Sequence, residues 1–93
     1  MEEILNNLKV GDVLHTTNRN TLYSFIRRSA DGGIIYSIKK NRKTLPLKTI
    51  NFATEATKNG VIISRQWYRE YNLHEYNTSP CNFSVLKNIL LRI

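Results

Sequence analysis

The hydrophobic period of this chain changes once. Up to Leu47 the apolar residues come in short runs, rich in β-branched and aromatic types and separated by polar turns. From Lys48 onward they recur at helical spacing. A chain patterned this way is expected to fold as α+β, with a small antiparallel sheet of three to four strands followed by a three-helix, winged-helix-like segment.

In the first half, Glu2 to Lys9 suits a short helix with Ile4, Leu5 and Leu8 on one side. Val13 to Thr16 reads as a strand, Asn18-Arg19-Asn20 as a polar turn, and Leu22 to Ser29 as a second strand. Asp31-Gly32-Gly33 lies between two apolar runs and signals a hairpin, because glycine enters the positive-φ region without a steric penalty. Ile34 to Lys39 is then the return strand and Lys40 to Lys43 a second turn. Thr44 to Leu47 is a fourth strand, which Pro46 confines to an edge.

In the second half, Ile50, Ala53, Ala56 and Thr57 share one helical face, and Gly60 stands where a C-terminal cap is expected. Val61-Ile62-Ile63 is a brief extended run. Ser64 is placed to cap a helix over Arg65 to Tyr71, which sets Trp67 and Tyr71 one turn apart. Leu73 to Thr78 reads as loop. Ser79-Pro80 opens the last helix, with serine as N-cap and proline at the first helical position. Phe83, Leu86, Leu90 and Ile93 form its expected buried stripe. Phe25, Phe52, Trp67 and Phe83 are the aromatic residues expected in the core.

Ninety-three residues accommodate one domain, 1–93, with a basic β half at 13–47 and a helical half at 48–93. The one cysteine, Cys81, forms no internal disulfide and is expected to fill apolar space near a helix start. Met1-Glu2-Glu3 lacks the basic-then-apolar layout of a signal peptide, and no apolar run approaches the roughly 20 residues that span a bilayer. These features predict a cytoplasmic chain without a membrane partner.

The formal net charge is +7, and its placement is uneven. Residues 13–54 hold Arg19, Arg27, Arg28, Lys39, Lys40, Arg42, Lys43 and Lys48 against Asp31 alone. Elsewhere cations and acids balance. The densest stretch is Lys39-Lys40-Asn41-Arg42-Lys43, with Lys48 close behind. A hairpin tip there would project several cations together, able to neutralise phosphates and release their counterions. A plainer role for lysine on an edge strand is protection against aggregation, but one or two residues suffice for that. Arg27 and Arg28 point to opposite faces of their strand, so at most one of them joins the same patch. Tyr23, Phe25 and Tyr36 interleave with the charge and are either core residues or stacking platforms for bases.

Catalytic chemistry has little to stand on. His15 and His74 have no second ligand at metal spacing, the seven acids are scattered, and no glycine-rich phosphate loop exists. No cofactor, metal or enzymatic activity is expected.

In winged-helix domains the last of three helices enters the major groove of DNA. Here the non-core side of that helix offers Asn82, Lys87, Asn88 and Ser84. The expected interface therefore comprises Arg28, Lys39, Lys40, Arg42, Lys43, Lys48, Asn82 and Lys87. Its partner is nucleic acid, DNA favoured over RNA and double-stranded DNA above all. The alternative is a small protein-interaction module, or an inhibitor docking on a nucleic-acid enzyme or an acidic partner. Trp67, Tyr68, Tyr71 and Tyr76 would anchor it, and it gains if several of them form one exposed patch.

Val10-Gly11-Asp12-Val13-Leu14, Leu45-Pro46-Leu47, Asn59-Gly60-Val61-Ile62-Ile63-Ser64-Arg65 and Phe83-Ser84-Val85-Leu86 to Leu90 follow one another in an order that resembles small modules attached to restriction-type and other DNA-defence proteins. The resemblance spans most of the chain through short motifs. It implies an accessory DNA-contacting or specificity role without cleavage activity, and no individual residue role is carried over from it.

Overall fold

Four strands run in the order of the sequence in the computed structural model, which describes Met1 to Ile93. They are β1 (Val13–Thr16), β2 (Leu22–Arg28), β3 (Ile34–Ile38) and β4 (Asn41–Leu45), each antiparallel to its neighbour. A short helix, α1 (Glu2–Asn6), precedes them. Four helices follow: α2 (Leu47–Lys58), α3 (Arg65–Tyr71), α4 (Leu73–Thr78) and α5 (Asn82–Leu91). The fold is α+β, as the change of period predicts. None of the helices is long and apolar enough to cross a membrane.

The helices cover one face of the sheet. Leu14, Phe25, Ile34, Tyr36 and Leu45 point inward and are buried against Ile50, Ala53, Val85, Leu86 and Ile89. The alternate residues Val13, Leu22, Arg27, Arg42 and Thr44 are exposed on the opposite face. Register shifts between Val13 and His15 and between Phe25 and Arg27 mark irregularities in the β1–β2 and β2–β3 ladders. Gly33 lets the β2–β3 turn close on the end of β4, because a Cβ there would lie 2.2 Å from the Leu45 carbonyl oxygen. Gly60, at φ +83, ends α2, with the Val61 amide donating to the Ala56 carbonyl.

Several elements depart from the sequence expectation. The second turn is only Lys39-Lys40, so Asn41, Arg42 and Lys43 belong to β4. The strand therefore ends at Leu45, and Pro46 is the N-cap residue of α2. Leu73 to Thr78 is a helix, because the Asn72 side chain caps it by accepting from the Glu75 amide at 3.0 Å. The last helix begins at Asn82 without a side-chain cap, the Ser79-Pro80-Cys81 turn leading into it.

The buried face of α5 is rotated from the expected stripe. It consists of Asn82, Val85, Leu86 and Ile89, while Phe83 and Leu90 are half-buried and Ile93 is exposed. On α2 the buried residues are Thr49, Ile50, Ala53 and Thr54. The two threonines are tolerated inside because Thr54 Oγ1 donates to the Ile50 carbonyl at 2.7 Å and Thr49 Oγ1 donates to the Glu75 carboxylate at 3.1 Å. Phe52 is consequently turned outward, and Trp67 stays half-buried beside it. Tyr36 and Tyr68 are the aromatic residues wholly enclosed in their place.

Candidate nucleic-acid interface

A meander with strands in sequence order sets its first and third turns at the same end of the sheet. The β1–β2 turn, 17–21, is stitched by its own side chain: Thr17 Oγ1 accepts from the Thr21 amide at 3.1 Å and the Arg19 amide at 3.3 Å. Asn20 there takes a left-handed backbone, φ 61, which asparagine tolerates. Arg19 projects from this tip, exposed. The β3–β4 turn presents Lys39 and Lys40, both exposed, and Lys39 is also left-handed at φ 53.

Between the tips lies a shallow depression of about 440 Å³, bordered by Thr17, Asn18, Arg19, Thr21, Tyr23 and Lys39 among others. Tyr23 forms part of its wall. Its ring stacks on Tyr36 at 5.9 Å, with His15 edge-on at 5.0 Å. Burial raises the Tyr23 pKa above that of a free tyrosine, and the Cys81 thiol adds to the effect. Arg65 lies 4.9 Å from the centre of the Phe83 ring.

The structure divides the expected interface residues. Lys39 and Lys40 share the tip. Arg42 is exposed on the open face of the sheet, opposite Ser37, and Lys43 lies on the covered face, opposite Tyr36 and half-buried. The run of five therefore does not project as one protrusion, because strand alternation sends its members to different sides. Lys48 is exposed but follows the far end of β4, separated from the tip by the length of that strand, roughly 15 Å.

Arg28 and Asn82 are structural. The Arg28 guanidinium donates to Glu2 at 2.9 Å, Asn6 at 2.8 Å and the Gly32 carbonyl at 2.8 Å, tying α1 to the β2–β3 turn. This is the only ion pair in the protein, so every other lysine and arginine is without a carboxylate partner. Asn82 is 0% exposed and bonded inside the core, out of reach of any ligand. Lys87 borders two other depressions, one with His15 and Asn88 and one with Ile63 and Leu91, and neither contains a tip residue.

Arg19 is the cation of this basic end that the local charge cluster did not reveal. It stands twenty positions before Lys39, and only the meander brings the two turns to one end. Of the aromatic anchors, Tyr68 is buried, and Tyr76, Trp67 and Tyr71 are half-buried, the last two stacked in parallel at 5.3 Å. No group of three His, Cys, Asp or Glu side chains gathers to hold a metal ion.

Compared with known proteins, the chain matches no family model, no curated protein sequence and no solved structure.

Proposed function

We propose that this chain is a non-catalytic nucleic-acid-binding module that grips the phosphate backbone of double-stranded DNA with its two neighbouring hairpin tips. The observation that carries this reading is the convergence of Arg19, Lys39 and Lys40 at one end of the sheet, with no acid paired to any of them. Turns one and three of a meander are two strand spacings apart, roughly 10 Å. That span covers about three phosphates at 3.4 Å of rise each along one DNA strand. Arg42 extends the positive surface onto the open face, among the hydroxyls of Ser24, Ser37 and Thr44.

Duplex is favoured over single strands because the open face carries no aromatic ring. Single-strand binders stack bases on exposed rings beside a basic groove. Here Tyr23, Phe25 and Tyr36 all lie on the covered face. The role also accords with the accessory DNA-contacting part that the resemblance to DNA-defence modules implies.

The test is binding of labelled duplex DNA, single-stranded DNA and RNA across a salt series. Four engaged cations give a log–log slope of about −3.6 on duplex. Absence of binding to any of the three at about 50 mM salt overturns the proposal, since an electrostatic grip is strongest there. Binding strongest to single strands or RNA overturns the duplex assignment and returns Tyr23 to consideration.

A further inference from the structure

Besides the basic end, the helical half bears a continuous exposed apolar strip. Ile62 and Leu91 are each 82% exposed, Phe52 56% and Val61 43%. Two depressions meet along it. One, of about 330 Å³, is formed by Phe52, Ala56, Val61 and Trp67 with Glu55 at its edge. The other, of about 280 Å³, is formed by Val61, Ile62, Ile63, Leu90 and Leu91 with Lys87 at its edge. Val61 lines both, so they abut. The Trp67–Tyr71 stack continues the first, with Phe52 tilted onto Tyr71 at 4.9 Å. A contiguous exposed apolar patch of more than a few hundred Å² on a monomer marks an interaction surface, and a standard interface covers roughly 800 Å² per partner.

We propose that this strip is an isologous interface for a second copy of the chain, with the two-fold axis near Val61. A two-fold rotation runs the strip antiparallel to itself. The protruding Ile62 and Leu91 of one copy then meet the aromatic socket of the other, and the reverse contact forms at the same time. The edge charges match under the same operation: Glu55 of one copy faces the Lys87 end of its partner, twice over. The strip belongs to α2, the 61–63 run, α3 and α5, and none of these carries a tip cation, so two copies meeting here leave Arg19, Lys39 and Lys40 outside the contact. The basic tips remain free in the dimer.

Sedimentation equilibrium of the protein without nucleic acid tests the proposal. Dimer is expected at about 100 µM or below, and Ile62→Asp and Leu91→Asp are each expected to weaken it roughly tenfold or more. Both positions are largely exposed, so circular dichroism should show an unchanged fold. Glu55→Lys and Lys87→Glu should each weaken association, and the double variant Glu55→Lys/Lys87→Glu should restore it. A protein that stays monomeric at that concentration overturns the proposal and leaves the strip to an unlike partner. A dimer that persists in Ile62→Asp and Leu91→Asp also overturns it, as does failure of the double variant to recover.

Discussion

The hydroxyl of Tyr36, at the centre of β3, donates to the side-chain oxygen of Asn82, the first residue of α5. The Asn82 amide in turn donates to the Thr44 carbonyl of β4 at 3.0 Å. The Tyr36 hydroxyl also lies 3.2 Å from the Cys81 Sγ, and burial holds its pKa far above the ordinary range for tyrosine. One side chain thus joins two strands to the last helix. Asn82→Ala leaves buried groups without partners, each at a penalty of about 1–3 kcal/mol. The variant is expected to lose about 2–3 kcal/mol in urea denaturation while its DNA affinity, measured where it is folded, stays unchanged. Lost affinity at full stability would return Asn82 to the interface.

Lys39 keeps a cation at a backbone position that suits glycine. A left-handed conformation is unfavourable for a residue with a Cβ by roughly 1–2 kcal/mol, partly offset by the greater freedom of glycine in the unfolded chain. Lys39→Gly is therefore expected to raise stability by about 0.5–1 kcal/mol and to weaken DNA binding. A gain in stability with no change in affinity would remove Lys39 from the grip.

Arg19, Lys40 and Arg42 are all exposed and unpaired. Their combined replacement by alanine should flatten the salt dependence of duplex binding by about three units of slope. Lys48→Ala, at the far end of β4, should change the slope by less than one unit. Equal effects of the triple and single variants would show that the tips are not the contact.

The Tyr68 hydroxyl is buried and makes no well-formed hydrogen bond, although the Glu75 carboxylate and the Asn82 side chain lie near it. Burial raises its pKa far above the usual tyrosine range, and the neighbouring Glu75 carboxylate adds to the effect. Tyr68→Phe removes the unpartnered group and keeps the ring packed against Phe83 and Tyr76. It is expected to stabilise the protein by about 1 kcal/mol, or about 4–8 °C in a thermal melt. Destabilisation would mean that the hydroxyl has a partner, such as an enclosed water.

Asp31 organises the β2–β3 turn. Hydrogen bonds from the Ser29 hydroxyl first, and then from the Gly33 amide, hold its pKa below the ordinary carboxylate value. A carboxylate depressed on folding stabilises the protein fully above its unfolded pKa of about 4, and this contribution disappears as pH falls through the lower folded value. Asp31→Asn should therefore reduce stability at neutral pH and show a shallower loss than the parent below about pH 4. Parallel acid-unfolding curves would exclude a role for the charge.

The first three strands, α2 and α3 were legible because their signals are local. Asp31-Gly32-Gly33 fixes one turn by backbone freedom, and Ser64 caps α3 as expected, accepting from the Trp67 amide at 3.1 Å. Two local signals were misread: Leu73 to Thr78 is a helix capped by Asn72, and Asn41 to Lys43 belong to β4. The other misreadings depend on contacts between distant residues. Asn82 looks like a surface residue until Tyr36 and Thr44 are brought to it. Arg28 looks like a free cation until Glu2 reaches it across the fold. Thr49 and Thr54 read as polar until their hydroxyls find Glu75 and the Ile50 carbonyl, and that misplaced the buried face of α2 and with it Phe52. The basic cluster was visible, but strand alternation split it, and its partner Arg19 lay outside the local window.

The strand order has a consequence for the chain as it is being made. Each strand needs only its immediate predecessor, and hairpins close in about 1–10 µs, so the sheet can assemble as soon as Leu45 is available. Part of its cover arrives later, because α5, which packs on β1 and β4, follows α2, α3 and α4 in the chain. At about 5–20 residues per second, the sheet surface that α5 covers stays open for several seconds on the ribosome. Through that interval the unpaired cations around it repel similar nascent sheets.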